Sequence, residues 1–274
     1  MSELSFIEWG GGDTLVLMLH GVGGGAAAWG DTISGTGRAL GETGFHAVAI
    51  DLPGYGGSPA IEPYDMAGLA AAVQGFIART PHERCILVGH SMGGMVSQEV
   101  AARWPQLMHG LVLSGTSAAF GKAGGEWQRQ FLRDRLGALE AGGGMPALAP
   151  GLAAGMASPR ADPAAVQRCA ALMARVPETT YRAALQAIVG FDRRDTLDRI
   201  AVPVLLLAGE HDRNAPPALM QAMAARIPRA EFLCLAGVGH LANMEAPQPF
   251  NAALLAFVHR HHFTEDPTDV AHRR

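Results

Sequence analysis

Short, near-continuous apolar runs alternate along this chain with longer stretches of helical spacing. The runs are "TLVLMLH" (14–20), "HAVAID" (46–51), "CILVGH" (85–90), "LVLSG" (111–115), "VLLLAGEHD" (204–212) and "EFLCLAGVGH" (231–240). They are apolar at successive rather than alternate positions, the pattern of strands covered on both faces of a parallel sheet. Between them, "AGLAAAVQGFIART" (67–80), "MVSQEVAARWP" (95–105), "PALMQAMAARIP" (217–228) and "PQPFNAALLAFVHRHH" (247–262) read as helices, with Pro105 stopping the second and Pro247 opening the fourth. Strand and helix alternating this way predict an α/β chain with a mostly parallel, doubly wound sheet and helices on both faces. Functional groups are then expected at the carboxyl ends of the strands.

From about Ala119 to about Arg194 the rhythm changes. No strand is expected there; helical pieces at 125–140, 145–157, 163–175 and 178–190 are separated by "GGGMP", "SPRADP" and "VPE". This predicts a helical lid inserted between two strands and lying over the strand ends. Thickening of one sheet face is the alternative.

Composition narrows the function. The 274 residues are 49% hydrophobic and 17% charged, enough to bury a large core. Lys and Arg number 21 against 25 Asp and Glu, a formal charge of −4 with no dense basic stripe, so nucleic acid is not an expected partner. "MSELSFIEWGGGD" has no cationic start, and no apolar run reaches the roughly 18 residues of a bilayer span. A cytoplasmic protein without membrane association is expected. Cys85, Cys169 and Cys234 lack C-x-x-C spacing, which argues against a disulfide framework or zinc site. Cys85 and Cys234, inside apolar runs, are expected to be buried and inert.

Gly89-His90-Ser91-Met92-Gly93 matches G-x-S-x-G directly after one of these strands and directly before a helix. A sharp turn there strains the serine backbone, and Gly89 and Gly93, backed by Gly94, leave room because they have no Cβ. Ser91 Oγ is then lifted above the sheet beside a helix N-terminus, where negative charge is favoured, with its own amide and that of Met92 facing the same space.

A serine hydroxyl needs a base, and the base an orienting acid. Asp212 in "VLLLAGEHDRNAPP" and His240 in "FLCLAGVGHLANMEAP" follow Ser91 in that order, each just beyond a strand. Glu210 is a rival acid, and His211 is expected to point elsewhere. An oxyanion would need amide donors. Met92 is assigned one and Val22, in the glycine-rich "HGVGGG" (20–25), the other. That turn contains neither G-x-G-x-x-G nor Gly-Lys-Ser/Thr, so a phosphate cradle is not supported.

Together these segments resemble the α/β-hydrolase fold enzymes. "HGVGGG", "DLPGYGGS" (51–58), "GHSMGG" (89–94), "GEHD" (209–212) and "GVGHLANMEAPQPFNAALLAF" (237–257) stand in that family's order over nearly the whole chain. The resemblance implies a hydrolase core domain at 1–118 and 195–274, a helical cap at 119–194, and Ser91, Asp212 and His240 as a triad working through an acyl-enzyme without a cofactor. Members with halide or epoxide chemistry carry an aspartate nucleophile, against which Ser91 argues. "SMGGMVSQEVAARWPQLMHGLVLSGTSA" and "FDRRDTLDRIAVPVLLLAGEHD" are similar to 3-oxoadipate enol-lactonases and related carboxylesterases. Meta-cleavage C–C hydrolases compete, and more often show Asn in place of His90. The expected partner is a small ester or lactone; C–C hydrolysis and non-catalytic binding of a small ligand are the alternatives.

For an apolar pocket the candidates are Trp127, Met145, Met156 and Phe191 in or beside the cap, with Val238 and Leu241 around the histidine. Arg129, Arg133 or Arg160 could receive a substrate carboxylate, against the default that such arginines are solvated. The tail "TEDPTDVAHRR" (264–274) is expected to fray.

Overall fold

A computed structural model of the chain describes residues 3–30, 35–121, 124–140 and 142–261. The tail at 264–274 lies outside them. In chain order the elements before the insertion are β1 (Phe6–Trp9), β2 (Thr14–Leu19), α1 (Thr36–Glu42), β3 (His46–Ile50), α2 (Met66–Ile77), β4 (Arg84–His90), α3 (Met92–Arg103) and β5 (Gly110–Ser114). Four helices follow: α4 (Glu126–Glu140), α5 (Gly144–Met156), α6 (Pro163–Met173) and α7 (Glu178–Val189). The chain then returns to the sheet through β6 (Val204–Gly209), α8 (Pro217–Ala224), β7 (Ala230–Leu235), α9 (Ala242–Glu245) and α10 (Pro247–Arg260).

The sheet order is β1-β3-β2-β4-β5-β6-β7, with β1 antiparallel to β3 and the other pairings parallel. From β2 the chain moves outward to β3, crosses back to β4 and then proceeds the other way. The order therefore reverses between β2 and β4, and at such a reversal the connections leave toward opposite faces and open a crevice. The "HGVGGG" turn after β2 and Ser91 after β4 flank it.

Burial explains the unbroken apolar runs. Leu15, Leu17 and Leu19 of β2 pack with Leu69, Val73 and Val96 from α2 and α3 on one face. Val16 and Met18 pack with Trp29, Leu40 and Phe250 on the other. β7 departs from the expectation: it is an edge strand, half-exposed, ending at Leu235 and not continuing to residue 240. Leu233 and Cys234 are accordingly exposed, which corrects the buried reading of that thiol; Cys85 is buried. No helix among the described residues is long and apolar enough to cross a membrane.

The two ends of the insertion meet in a short antiparallel contact that the hydrophobic pattern does not announce. Ala119 bridges Asp192, the Phe120 amide donates to the Phe191 carbonyl at 3.0 Å, and the Arg193 amide donates to the Ala118 carbonyl at 2.7 Å. Glu99, buried on α3, receives Arg193 at 2.7 Å and also pairs with Arg103. The helix that begins after Ser91 is thus bolted to the base of the insertion. Removing a buried ion's partner is strongly unfavourable. Arg193→Ala, which takes a partner from the buried Glu99, is expected to lower unfolding free energy by about 2–3 kcal/mol, read from urea midpoints; a loss under about 0.5 kcal/mol would show that the clamp does not stabilise the chain.

Candidate active site

Ser91 is the one non-glycine residue among those described with positive φ, at φ 52° and ψ −117°. Its glycine neighbours are sterically required. A Cβ on Gly89 would lie 2.5 Å from the Gly93 carbonyl oxygen, one on Gly93 2.2 Å from that of Leu19, and one on Gly94 2.7 Å from Thr116 Cβ. The Ser91 amide donates to the Ser114 carbonyl at 2.9 Å, and Thr116 Oγ1 donates to the Ser91 carbonyl at 2.8 Å. Ser91's own amide is therefore spent on β5, which corrects the expectation that it faces the site. The Met92 amide, first in α3, has no carbonyl of its own helix to bond.

His240 Nδ1–H donates to Asp212 Oδ2 at 2.8 Å, leaving Nε2 as the basic nitrogen. Asp212 Oδ1 accepts the amides of Asn214 at 2.8 Å and Ala215 at 2.9 Å. Burial pushes the Asp212 carboxyl up, but the His240 hydrogen bond and charge and these amides outweigh it, so the group is held below its ordinary value. Glu210, the rival acid, is exposed and accepts the Gly237 amide instead. His211 is exposed as well.

The backbone of His240 is pinned from two sides. His90 Nε2–H donates to its carbonyl at 2.9 Å, and its amide donates to the Met156 carbonyl at the end of α5 at 2.8 Å. Glu245 joins the same two pieces, accepting the Gly239 amide at 3.0 Å and the Ser158 amide at 3.1 Å.

The turn after β2 is fixed as tightly. His20 Nδ1–H donates to the Gly21 carbonyl at 2.8 Å while Nε2 accepts the Leu52 amide at 3.0 Å. Tyr55 donates its hydroxyl to the Val22 carbonyl at 2.9 Å, and Asp51 Oδ1 accepts the Ala26 amide at 2.8 Å. These partners lie in or beside "DLPGYGGS". Ser91, His240 and Val22 all line one cavity of about 210 Å³ whose remaining walls are mostly aromatic and aliphatic. Among the described residues no three His, Cys, Asp or Glu side chains gather into a metal-binding group.

The sequence profile of the alpha/beta hydrolase fold matches residues 14–247. The chain belongs to the α/β-hydrolase family. A RutD chain of Pseudomonas syringae pv. syringae, named for carbamate hydrolysis, is 30% identical over 250 residues, covering 89% of this chain and 93% of that one. A 2-hydroxy-6-oxononadienedioate/2-hydroxy-6-oxononatrienedioate hydrolase of a Pseudomonas species is 27% identical over 259 residues, 92% of this chain and 90% of its own. The crystal structure of the enol-lactonase from Burkholderia xenovorans superposes with a TM-score of 0.81 at 24% identity, covering 93% of this chain and 96% of that one.

In this α/β-hydrolase the cavity takes only some of the residues expected to line it. Trp127, Met156 and Leu241 do so. Met145, Phe191 and Val238 do not: each is buried in the core, Phe191 beside the bridge that closes the insertion. Arg129 and Arg133 face solvent, paired with Glu126, and Arg160 is exposed away from the cavity. Arg135, Phe120, Phe131 and Tyr181 line it unforeseen. For two of them a signal existed, since Trp127, Phe131 and Arg135 recur every four residues on one face of α4.

His20 and His90 are neutral supports. Burial lowers His20 to about 4 and His90 to about 3 from an ordinary 6.5. A depressed histidine contributes stability that is complete above the unfolded value and is lost as pH falls toward the folded one, because only the unfolded chain takes up the proton. Between pH 6.5 and pH 5 each is expected to cost about 2 kcal/mol. Denaturant midpoints across that range check it. His90→Asn should flatten the slope by about one proton; an unchanged slope would remove His90 from the linkage.

Proposed function

We propose that the chain is a serine hydrolase that cleaves a small carboxylic ester or enol-lactone through an acyl-enzyme. The observation that carries this reading is the 2.8 Å Asp212–His240 contact opening onto the same cavity as the strained Ser91. Ser91 Oγ attacks the substrate carbonyl while His240 Nε2 takes its proton. Asp212 holds the imidazole and stabilises its charged form. The Val22 and Met92 amides receive the oxyanion, Val22 from a turn that Tyr55 and His20 already hold in place, so little reorganisation is needed as charge develops. His240 then returns the proton to the leaving group, and a water activated by the same nitrogen hydrolyses the acyl-enzyme.

The C–C hydrolase and carbamate-hydrolase names among the relatives define the competing substrates. The test compares kcat/KM on a small ester or enol-lactone with that on a vinylogous 1,5-diketone acid and on a carbamate. A preference for ester or lactone above about a hundredfold, about 2.7 kcal/mol of transition-state stabilisation, supports the reading; a preference for either other class overturns the substrate assignment. Ser91→Ala is expected to lower kcat/KM by at least about 10⁴-fold with an unchanged melting transition. A serine-reactive phosphonate should add one adduct to the wild type and none to Ser91→Ala. Full turnover by that variant would discard Ser91 as nucleophile, and an unlabelled, inactive wild type would favour non-catalytic ligand binding.

A further inference from the structure

Arg135 on α4 lines the same cavity as Ser91 and His240, although most of the lining is apolar. Its guanidinium lies 5.5 Å from the centre of the Phe131 ring, the next residue on its helical face. Tyr181, buried, lines the same cavity, and burial pushes its hydroxyl up while the charge and hydrogen bonding of Arg135 push it back down. The arginine and the phenol are thus held together at the cap side of the cavity.

Nothing anionic answers this charge among the described residues. The acids on α4 are engaged elsewhere: Glu126 with Arg129 and Arg133, Asp134 with Gln130, and Glu140 with Arg182. Glu178 of α7 also pairs with Arg182. The other cation of the lining, Arg213, is exposed and shared with an outer depression beside Glu210. A guanidinium in an apolar cavity without a counter-ion carries a desolvation cost that a planar, bidentate anion relieves.

We propose that Arg135, with the Tyr181 hydroxyl beside it, anchors a free carboxylate, so that the substrate is an ester or lactone whose own chain carries a second, ionised carboxyl group. The inference deepens the ester/lactone reading and rests on it. Phe120, Phe131 and Leu185 would enclose the apolar stretch between the carboxylate and the scissile carbonyl at Ser91. Arg135 acts here on substrate binding and selectivity, without a part in proton transfer.

The test sets monomethyl esters of unbranched dicarboxylic acids, from succinate to suberate, against the matching dimethyl esters. At the best-fitting length the wild type is expected to favour the hemi-ester by at least about tenfold in kcat/KM. Arg135→Gln should erase that preference while leaving the diesters within about twofold, and Arg135→Lys should restore part of it by keeping a point charge. Equal losses on hemi-ester and diester, or loss of preference in Arg213→Gln with Arg135→Gln unaffected, would overturn the proposal. Calorimetry on Ser91→Ala separates it from the hydrolase reading, because that protein reads binding without turnover. Tighter hemi-ester than diester binding, lost in Ser91→Ala/Arg135→Gln, supports the anchor even if the chemistry assigned to Ser91 fails. Equal binding of the two esters sinks the anchor even if esters are hydrolysed. Should the arginine variants not fold, the same comparison on Ser91→Ala alone still decides for or against a carboxylate anchor.

Discussion

The left-handed backbone turn at Ser91 is the constraint around which the rest of the molecule is arranged. Such a conformation costs on the order of 1–3 kcal/mol and persists only where the surroundings over-determine it. Here they come from two strands and the turn beyond one of them: β2 approaches Gly93 through the Leu19 carbonyl, β5 takes the Ser91 amide at Ser114, and Thr116 beyond β5 closes on Gly94 and the Ser91 carbonyl. A parallel sheet buried on both faces supplies neighbours rigid enough for this. The same crowding excludes any side chain at Gly89, Gly93 or Gly94, so local strain and global topology specify each other.

Around that turn, histidines with similar covalent chemistry are sorted by environment. His20 is enclosed by backbone partners that suit only the neutral ring, burial keeps His90 neutral, and each holds a loop through its ring nitrogens. His240 alone has a carboxylate at Nδ1 and a cavity at its other edge.

Much of this was legible in the residues. The apolar runs located six of the seven strands among the described residues, and the glycines around Ser91 announced the turn. β1 and α1 were not legible, for a common reason. Trp9 of β1 lies directly on α1, where a Cβ at Gly37 would fall 2.1 Å from its ring and one at Gly41 2.8 Å from the Trp9 backbone carbon. Glycines that depress helix propensity are here the imprint of a packing partner far away in sequence. The pocket was the least legible part, because Met145, Phe191 and Val238 have the same apolar chemistry as true lining residues and differ from them only in which way the insertion and the loop after β7 fold. Arg135 looked like its neighbours Arg129 and Arg133; only the phase of α4 separates an arginine that faces solvent from one that lines the cavity beside Ser91.

The Met156 carbonyl and the Glu245 carboxylate hold the end of α5 and the loop of His240 as one piece. The end of α5 therefore cannot leave the sheet without either breaking the hydrogen bond to the His240 amide or carrying that loop with it, so the shape of the cavity and the position of the imidazole are set by one shared anchor.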